Sequence, residues 1–391
     1  MNNIKEEFGV IVFGQFCYNS LGQIRSFGEI GIKPDVIWLQ NEYHTPEGSR
    51  YINKFHTVQT CEEGLDYIVQ NYSGTKKYFV STDIDDAVSL LNERYDEFKD
   101  RYIFFNASEK GRLTNFLKKE KQLEIMQKFS RGGVYIPQYE CVRKGDLPKK
   151  LNYPIITKAV ASFNYSWKES SFICRDEEEL LQAYESIQTD ELILQEYIEK
   201  DNEVALEGIS YNNGQSIYVP IQGEYLRLPE GNFGTFKRNE CYKLGDELLQ
   251  TLGDIFKEIG YNGVFEVEFI RDKKGELYFL EINFRYTQYN HALADMGINL
   301  CKLWIDSVVL GRINVQEIKF KKNPALVMNE NRDFKDYVLT AKIGLFKWIK
   351  DFIRSDSYYL WDIKDIKYCI SFYFLPFKER LKNRILKKIK L

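Results

Sequence analysis

The stretch Gly263–Arg285, GVFEVEFIRDKKGELYFLEINFR, constrains the fold more than any other part of the chain. Asp272-Lys273-Lys274-Gly275 supplies turn chemistry, because Asp bonds nearby backbone amides and Gly tolerates positive φ. On either side the apolar residues recur at period two, which is the strand pattern. A hairpin centred on that turn pairs Val267 with Leu280, Phe265 with Ile282 and Phe269 with Tyr278, and buries that face. Glu266, Glu268, Glu281 and Asn283 then share the opposite face. Three carboxylates so close repel one another unless a cation lies among them. Oxygen donors that leave room for water and phosphate suit Mg²⁺ rather than Zn²⁺.

The first third of the chain has a different rhythm. Val10–Phe13, Asp35–Leu39, Tyr78–Val80 and Tyr102–Phe105 read as strands. A helix over 19–30 and another capped by Asp83 lie between them, the βα alternation of a parallel sheet. The layer is Rossmann-like, but the loop after the first strand, GQFCYNSLG, is not GxGxxG, so dinucleotide binding is unsupported. From about residue 112 the pattern changes. Arg112–Phe129 reads as a lysine-rich helix and Val134–Ile136 as a strand. Paired strands follow over 155–158, 171–174, 192–197, 204–209 and 217–221, and a helix over 245–259 precedes the hairpin. Fold class is therefore α/β followed by α+β. The boundaries fall at 1–112 and 113–312, with a smaller subdomain at about 134–195 and a C-terminal extension over 313–391.

Composition excludes several classes. Among 391 residues, 54 basic and 57 acidic side chains give a net charge of −3, which is not that of a globally cationic nucleic-acid binder. Seven cysteines, scattered and without a CxxC pair, argue against a disulfide framework or structural zinc. The N-terminal apolar run is too short for a signal peptide, and no segment is long and apolar enough to span a bilayer. The expected compartment is the reducing cytoplasm.

Glu268, Glu281 and Asn283, set in "EVEF…FLEINFR", closely resemble the metal signature of the ATP-grasp superfamily. The resemblance implies a Rossmann-like domain preceding an ATP-grasp module of two antiparallel sheets. It also implies ATP as nucleotide and two Mg²⁺ ions held by Glu268, Glu281 and Asn283, with Mn²⁺ as an alternative ion. Arg285 matches the arginine that follows this signature and neutralises phosphate or acyl phosphate. Two lysines are expected upstream on the phosphates. Lys121 resembles the first, with Lys118 and Lys119 as register alternatives, and Lys158 resembles the second. LILQEYIEKDNEV resembles the adenine hinge, with Glu196 at the amino group, the backbone of Tyr197 and Ile198 on the ring, and Glu203 on ribose. The loop over 159–167 departs from the family by lacking glycine, although the Ser162 hydroxyl remains available for phosphate. Lys237 and Arg238, in the loop GTFKRNE, are candidates for holding the γ-phosphate.

The resemblance implies a carboxylate–amine ligase of the D-aspartate ligase-like type, which joins small-molecule carboxylate and amine substrates through an acyl phosphate. An ATP-grasp kinase acting on a hydroxyl and a non-catalytic nucleotide-binding protein are the competing readings. His291 is a candidate general base, weighed against a capping or packing role. The sequence leaves the oligomeric state open.

The last segment carries its own signal. Residues 378–391, KERLKNRILKKIKL, hold seven basic residues and one acidic residue, a net of +6 that leaves −9 elsewhere. Phe374, Phe377, Leu381, Ile385 and Ile389 recur at helical spacing beside that charge. A basic amphipathic helix of this kind suits peripheral contact with the anionic inner face of a membrane, or packing on the enzyme. Nucleic acid is a poorer match.

Overall fold

The hairpin forms, and it is one end of a larger sheet. The computed structural model describes residues 7–15, 18–40, 45–161, 167–229 and 233–373. Strands β1 (Phe8–Gln15), β2 (Asp35–Leu39), β3 (Lys54–Val58), β4 (Lys77–Thr82) and β5 (Tyr102–Ile103) make a parallel sheet in the order β3-β2-β1-β4-β5. Its helices Tyr18–Glu29 and Asp85–Glu93 follow the expected βα alternation, whereas β3 and the helix Cys61–Asn71 add a unit the sequence pattern did not mark. Asp83 does not cap the last of these. It accepts a hydrogen bond from Ser20 Oγ at 2.7 Å, and the cap position falls to Ile84, whose side chain makes no capping bond.

Two antiparallel sheets follow. β6 (Tyr139–Arg143), β7 (Ile155–Ala159), β8 (Ile173–Cys174) and β9 (Glu191–Glu196) make four strands in the order β6-β9-β7-β8. The helix Glu177–Ser186 packs there through Leu180, Ala183 and Tyr184, against Ile155, Leu192 and Leu194, as a core separate from the rest. The largest sheet holds β10 (Lys200–Tyr211), β11 (Ser216–Arg227), β12 (Phe236–Cys241), β13 (Gly263–Asp272), β14 (Leu277–Asn283), β15 (Ala325–Met328) and β16 (Ser357–Tyr358). Its order is β14-β13-β10-β11-β12-β15-β16.

Several expectations shift in ways that matter for the site. The segment GTFKRNE is strand, not loop, so Lys237 and Arg238 point to opposite faces. Val134–Ile136 makes only an isolated bridge, Tyr135 to Tyr278. The lysine-rich helix divides into Arg112–Phe116 and Lys119–Phe129, because Lys118 is extended at φ −75°, ψ 127°. The hairpin register also differs from a four-residue turn. Asp272 pairs across to Glu276, Gly275 takes a positive φ of 88°, and a bulge follows Glu268. Val267 therefore faces Ile282, and Phe269 faces Phe279, rather than Leu280 and Tyr278. The acidic face survives intact, with Glu266 opposite Asn283 and Glu268 opposite Glu281.

Residues beyond 313, expected as an extension, add two strands to the same sheet. β15 pairs antiparallel with β12, and β16 lies parallel to β15. Residues 359–373 then return to the N-terminal layer. Arg25, fully buried on the helix Tyr18–Glu29, meets Asp365 at 3.3 Å and Asp362 at 3.7 Å. The basic stretch 374–391 lies outside the described residues. One apolar core joins the parallel sheet to the large sheet, where Trp304 packs against Phe79 and Phe105 at ring distances of 5.0 and 4.6 Å.

Candidate functional site

Gln122 sets the geometry of the lysine side of the cluster. Its amide accepts from the backbone of Ile282 at 2.8 Å and donates to the Ile282 carbonyl at 2.9 Å, which ties the helix Lys119–Phe129 to β14. One turn earlier on the same helical face, Lys119 forms an ion pair with Glu281. The Lys119 amide also donates to the Val160 carbonyl at 3.0 Å, stitching the helix start to the end of β7. Lys121 is two residues on, about 200° around the helix. It pairs with Glu124 at 2.7 Å on the outer surface, so Lys119 and not Lys121 meets the carboxylates.

Lys158 joins Lys119 from β7. It is buried, with Nζ donating to Gln195 Oε1 on the neighbouring strand β9 at 2.6 Å. Burial pulls its pKa down to about 7, helped by the like charge of Lys119 and opposed by Glu281. Opposite these lysines stand the hairpin carboxylates. Burial raises Glu268 well above the ordinary carboxylate range, with Glu266, Glu281 and Glu203 adding repulsion. Burial also acts upward on Glu281, but Lys119, Lys158 and Arg285 outweigh it and hold that carboxyl below its usual value. Asn283 Nδ2 donates to Glu266 Oε2 at 3.2 Å, leaving Glu266 Oε1 without a hydrogen-bond partner among the described residues. Crowded carboxylates, one forced toward its neutral form, are a donor set that fits Mg²⁺.

A second inward group lies further along the sheet. Lys237, 1% exposed, reaches across Gly223 on β11, where a Cβ would stand 2.1 Å from Lys237 Cε. Its Nζ lies 3.5 Å from the centre of the Tyr289 ring and 4.0 Å from Glu207 Oε1, with no hydrogen-bond partner among the described residues. Burial raises Glu207 to about 8, against the pull of Lys237 and with the push of Glu266. Arg238 faces outward to Glu240 at 3.3 Å and does not join the cluster. Arg285 is held by Asp85 through bonds of 2.6 and 3.1 Å, which links the hairpin to the N-terminal layer.

The hinge is arranged as follows. Glu196 ends β9 with its amide on the Gln138 carbonyl at 2.8 Å and its carboxylate on the Gln138 amide at 3.2 Å. The Tyr197 amide is taken by the Pro154 carbonyl at 3.2 Å, while the Ile198 amide has no partner among the described residues. Glu203 pairs with Lys200 at 2.6 Å and lies close enough to Glu268 to repel it. Ser162 lies outside the described residues. His291 sits elsewhere, 3.7 Å from Glu29 and 4.0 Å from Asp295, in a cluster where Lys364 already pairs with Glu29.

Glu207, Gln195, Gly223 and Asp85 are absent from the sequence reading. Glu207 alone left a trace there, as a single carboxylate inside the apolar run VALEGIS.

Comparison with known proteins agrees with this geometry. The model of the ATP-grasp domain matches residues 127–292. The 2-oxoglutarate carboxylase small subunit of Hydrogenobacter thermophilus is 29% identical over 195 residues, covering 44% of this chain and 39% of its own. The N5-carboxyaminoimidazole ribonucleotide synthase of Staphylococcus epidermidis is 28% identical over 197 residues, covering 45% and 52%. The chain thus spans about two-fifths to one-half of the length of these curated relatives. Among solved structures, N5-carboxyaminoimidazole synthetase from Staphylococcus aureus superposes with a TM-score of 0.63 at 17% identity, covering 87% of both chains. L-amino acid ligase from Bacillus licheniformis gives 0.61 at 17%, covering 81% and 78%. The biotin carboxylase domain of the Hydrogenobacter enzyme, in complex with MgADP, ADP and bicarbonate, gives 0.60 at 19%, covering 81% and 73%. Residues 127–292 thus match the ATP-grasp domain, and the two antiparallel sheets, with lysines on one side and an acidic hairpin on the other, agree with that match.

Proposed function

We propose that the protein is an ADP-producing ligase that joins a carboxylate to an amine through an acyl phosphate. The observation that carries this is the pairing of a crowded carboxylate face, Glu266, Glu268, Glu281 and Asn283, with the cations Lys119, Lys158 and Arg285. Glu268, Glu281 and Asn283 would hold two Mg²⁺ ions, with Mn²⁺ able to replace them. Bound there, the ions would offset phosphate charge as it develops. Lys119 and Lys158 would lie along the phosphates as point charges. The free Ile198 amide and the Glu196 carboxylate offer one donor and one acceptor to adenine, with Glu203 beside the ribose.

Arg285 and Lys237 would serve the substrate side. A substrate carboxylate attacking the γ-phosphate forms a new C–O–P bond and releases ADP. The amine nitrogen then displaces phosphate from that carbonyl and loses a proton. Arg285, oriented by Asp85, would neutralise the acyl phosphate, so that positioning and charge carry most of the catalysis. Lys237 is an inward cation suited to a carboxylate. The similar L-amino acid ligase favours an amino acid as one partner.

The basic segment 374–391 adds the proposal of peripheral membrane contact from the cytoplasmic side, and with it an acceptor on a cell-surface precursor. ADP release measured with pooled amino acids and carboxylates tests the ligase reading, with hydroxylamine as the trap. A hydroxamate supports the acyl phosphate. Phosphate held stably on a substrate hydroxyl would overturn it in favour of a kinase.

A further inference from the structure

The helix Leu345–Arg354 presents apolar side chains to solvent to a degree found nowhere else among the described residues. Phe346 is 89% exposed and Ile353 73%, with Leu345 and Ile349 beside them. At 100° per residue these four fall within one arc of about a quarter-turn, and Lys350, Arg354 and Lys347 occupy the adjoining arc. The third arc faces the protein and is firmly seated. Trp348 meets Phe334 edge-on at a ring distance of 5.1 Å and stacks on Phe352 at 5.3 Å. Asp351 binds Arg227 at 2.7 Å, and the same guanidinium holds Asp333 at 2.8 Å. The exposed stripe is therefore held in place on the end of β11.

The charge around the stripe has one sign. Lys335, Lys342, Lys347, Lys350 and Arg354 are all exposed. Of the acids in the same segment, Asp351 is tied inward to Arg227 and Asp336 to Arg332 at 3.3 Å. A second copy of the chain would bring the same cations against these in a two-fold contact. The chain's own 378–391 segment, at a net +6, is repelled as well. An anionic lipid surface satisfies both the apolar arc and its cationic border.

We propose that Leu345–Arg354 is an interfacial helix that seats the protein on an anionic membrane, with Phe346, Ile349 and Ile353 entering the headgroup boundary. No described helix is long and apolar enough to cross a membrane, so the contact is peripheral. This surface stands apart from both the ligase reading and the 374–391 segment, and each can fail separately.

The test is co-sedimentation of the full chain with phosphatidylcholine vesicles, with and without phosphatidylserine. The variants are F346S/I353S and, separately, K387E/K388E/K390E. Both F346 and I353 project into solvent, so their replacement leaves the packed arc alone, and ADP release confirms an intact site. The expected result is binding that requires phosphatidylserine, weakens with salt and falls at least about tenfold in F346S/I353S. Binding lost only in K387E/K388E/K390E would overturn the proposal in favour of the tail. No binding by the unaltered chain would overturn it outright. Dimerisation dependent on Phe346, seen by sedimentation velocity without vesicle binding, would mean a second copy covers the face.

Discussion

Lys119, in the first turn of its helix, forms an ion pair with Glu281 of β14, 162 residues further along the chain. The pair bridges the helix Lys119–Phe129 and the acidic hairpin, the two sides of the proposed nucleotide site, and sets the charge balance there. Glu281 stays ionised because Lys119, Lys158 and Arg285 surround it, while its neighbour Glu268 is driven toward the neutral form.

Lys119→Ala should therefore lower ATP turnover by about a hundredfold, the scale of losing one preorganised charge at a reacting phosphate. Lys121→Ala, which removes only a surface pair with Glu124, should stay within about twofold, since exposed pairs contribute little. ADP release checks both. Equal losses would mean that the helix register around Gln122 is not the one described.

Glu281→Gln is nearly isosteric and should keep the fold yet abolish Mg²⁺-dependent turnover. Circular dichroism and ADP release on the same sample separate the two effects. Full activity in that variant would remove Glu281 from the metal set.

Four of the five strands of the N-terminal layer were legible because βα alternation survives in a parallel sheet with helices on its faces, while β3 and the helix Cys61–Asn71 were missed. The acidic face of the hairpin was legible too, because the register there slips by two residues, which preserves the alternation and keeps Glu266, Glu268, Glu281 and Asn283 together. The slip itself was not. A positive-φ Gly275 and a bulge after Glu268 each add one residue, and neither leaves a mark in the hydrophobic pattern. Lys119 against Lys121 was undecidable for a similar reason. The break at Lys118 depends on a backbone bond to Val160, a contact made only in the folded chain. β15 and β16 are short edge additions whose partners lie far away in sequence, so 325–358 looked like an irregular extension.

Lys237 and Arg238 form an internal control. Lys237→Met should cut turnover by about tenfold or more, whereas Arg238→Ala, on the outer face beside Glu240, should leave it nearly unchanged. Gly223→Ala should resemble Lys237→Met, because the added Cβ falls on the lysine's path. Steady-state ADP release on all three variants is the measurement.

Glu207 gives a pH dependence of definite sign. Its folded pKa is raised from 4.5 to about 8, so its contribution to stability is present in full below about 4.5 and is lost as pH rises toward 8. Lys158 acts in the opposite sense only above about 7, where its depressed pKa lies. Between pH 5 and 7 the unliganded protein should thus lose stability by up to about 1.4 kcal/mol per pH unit from this carboxyl. Glu207→Gln should flatten that slope. Urea midpoints across the range test it, and an unchanged slope in the variant would contradict the assignment.

The most direct test of the central claim is a crystal structure of the full chain with Mg²⁺ and a non-hydrolysable ATP analogue. Adenine is expected against the backbone of Glu196–Ile198, phosphates beside Lys119 and Lys158, and metal on Glu268, Glu281 and Asn283. Adenine seated instead beside Gly14, at the end of β1, would make the parallel sheet the nucleotide site and contradict that claim.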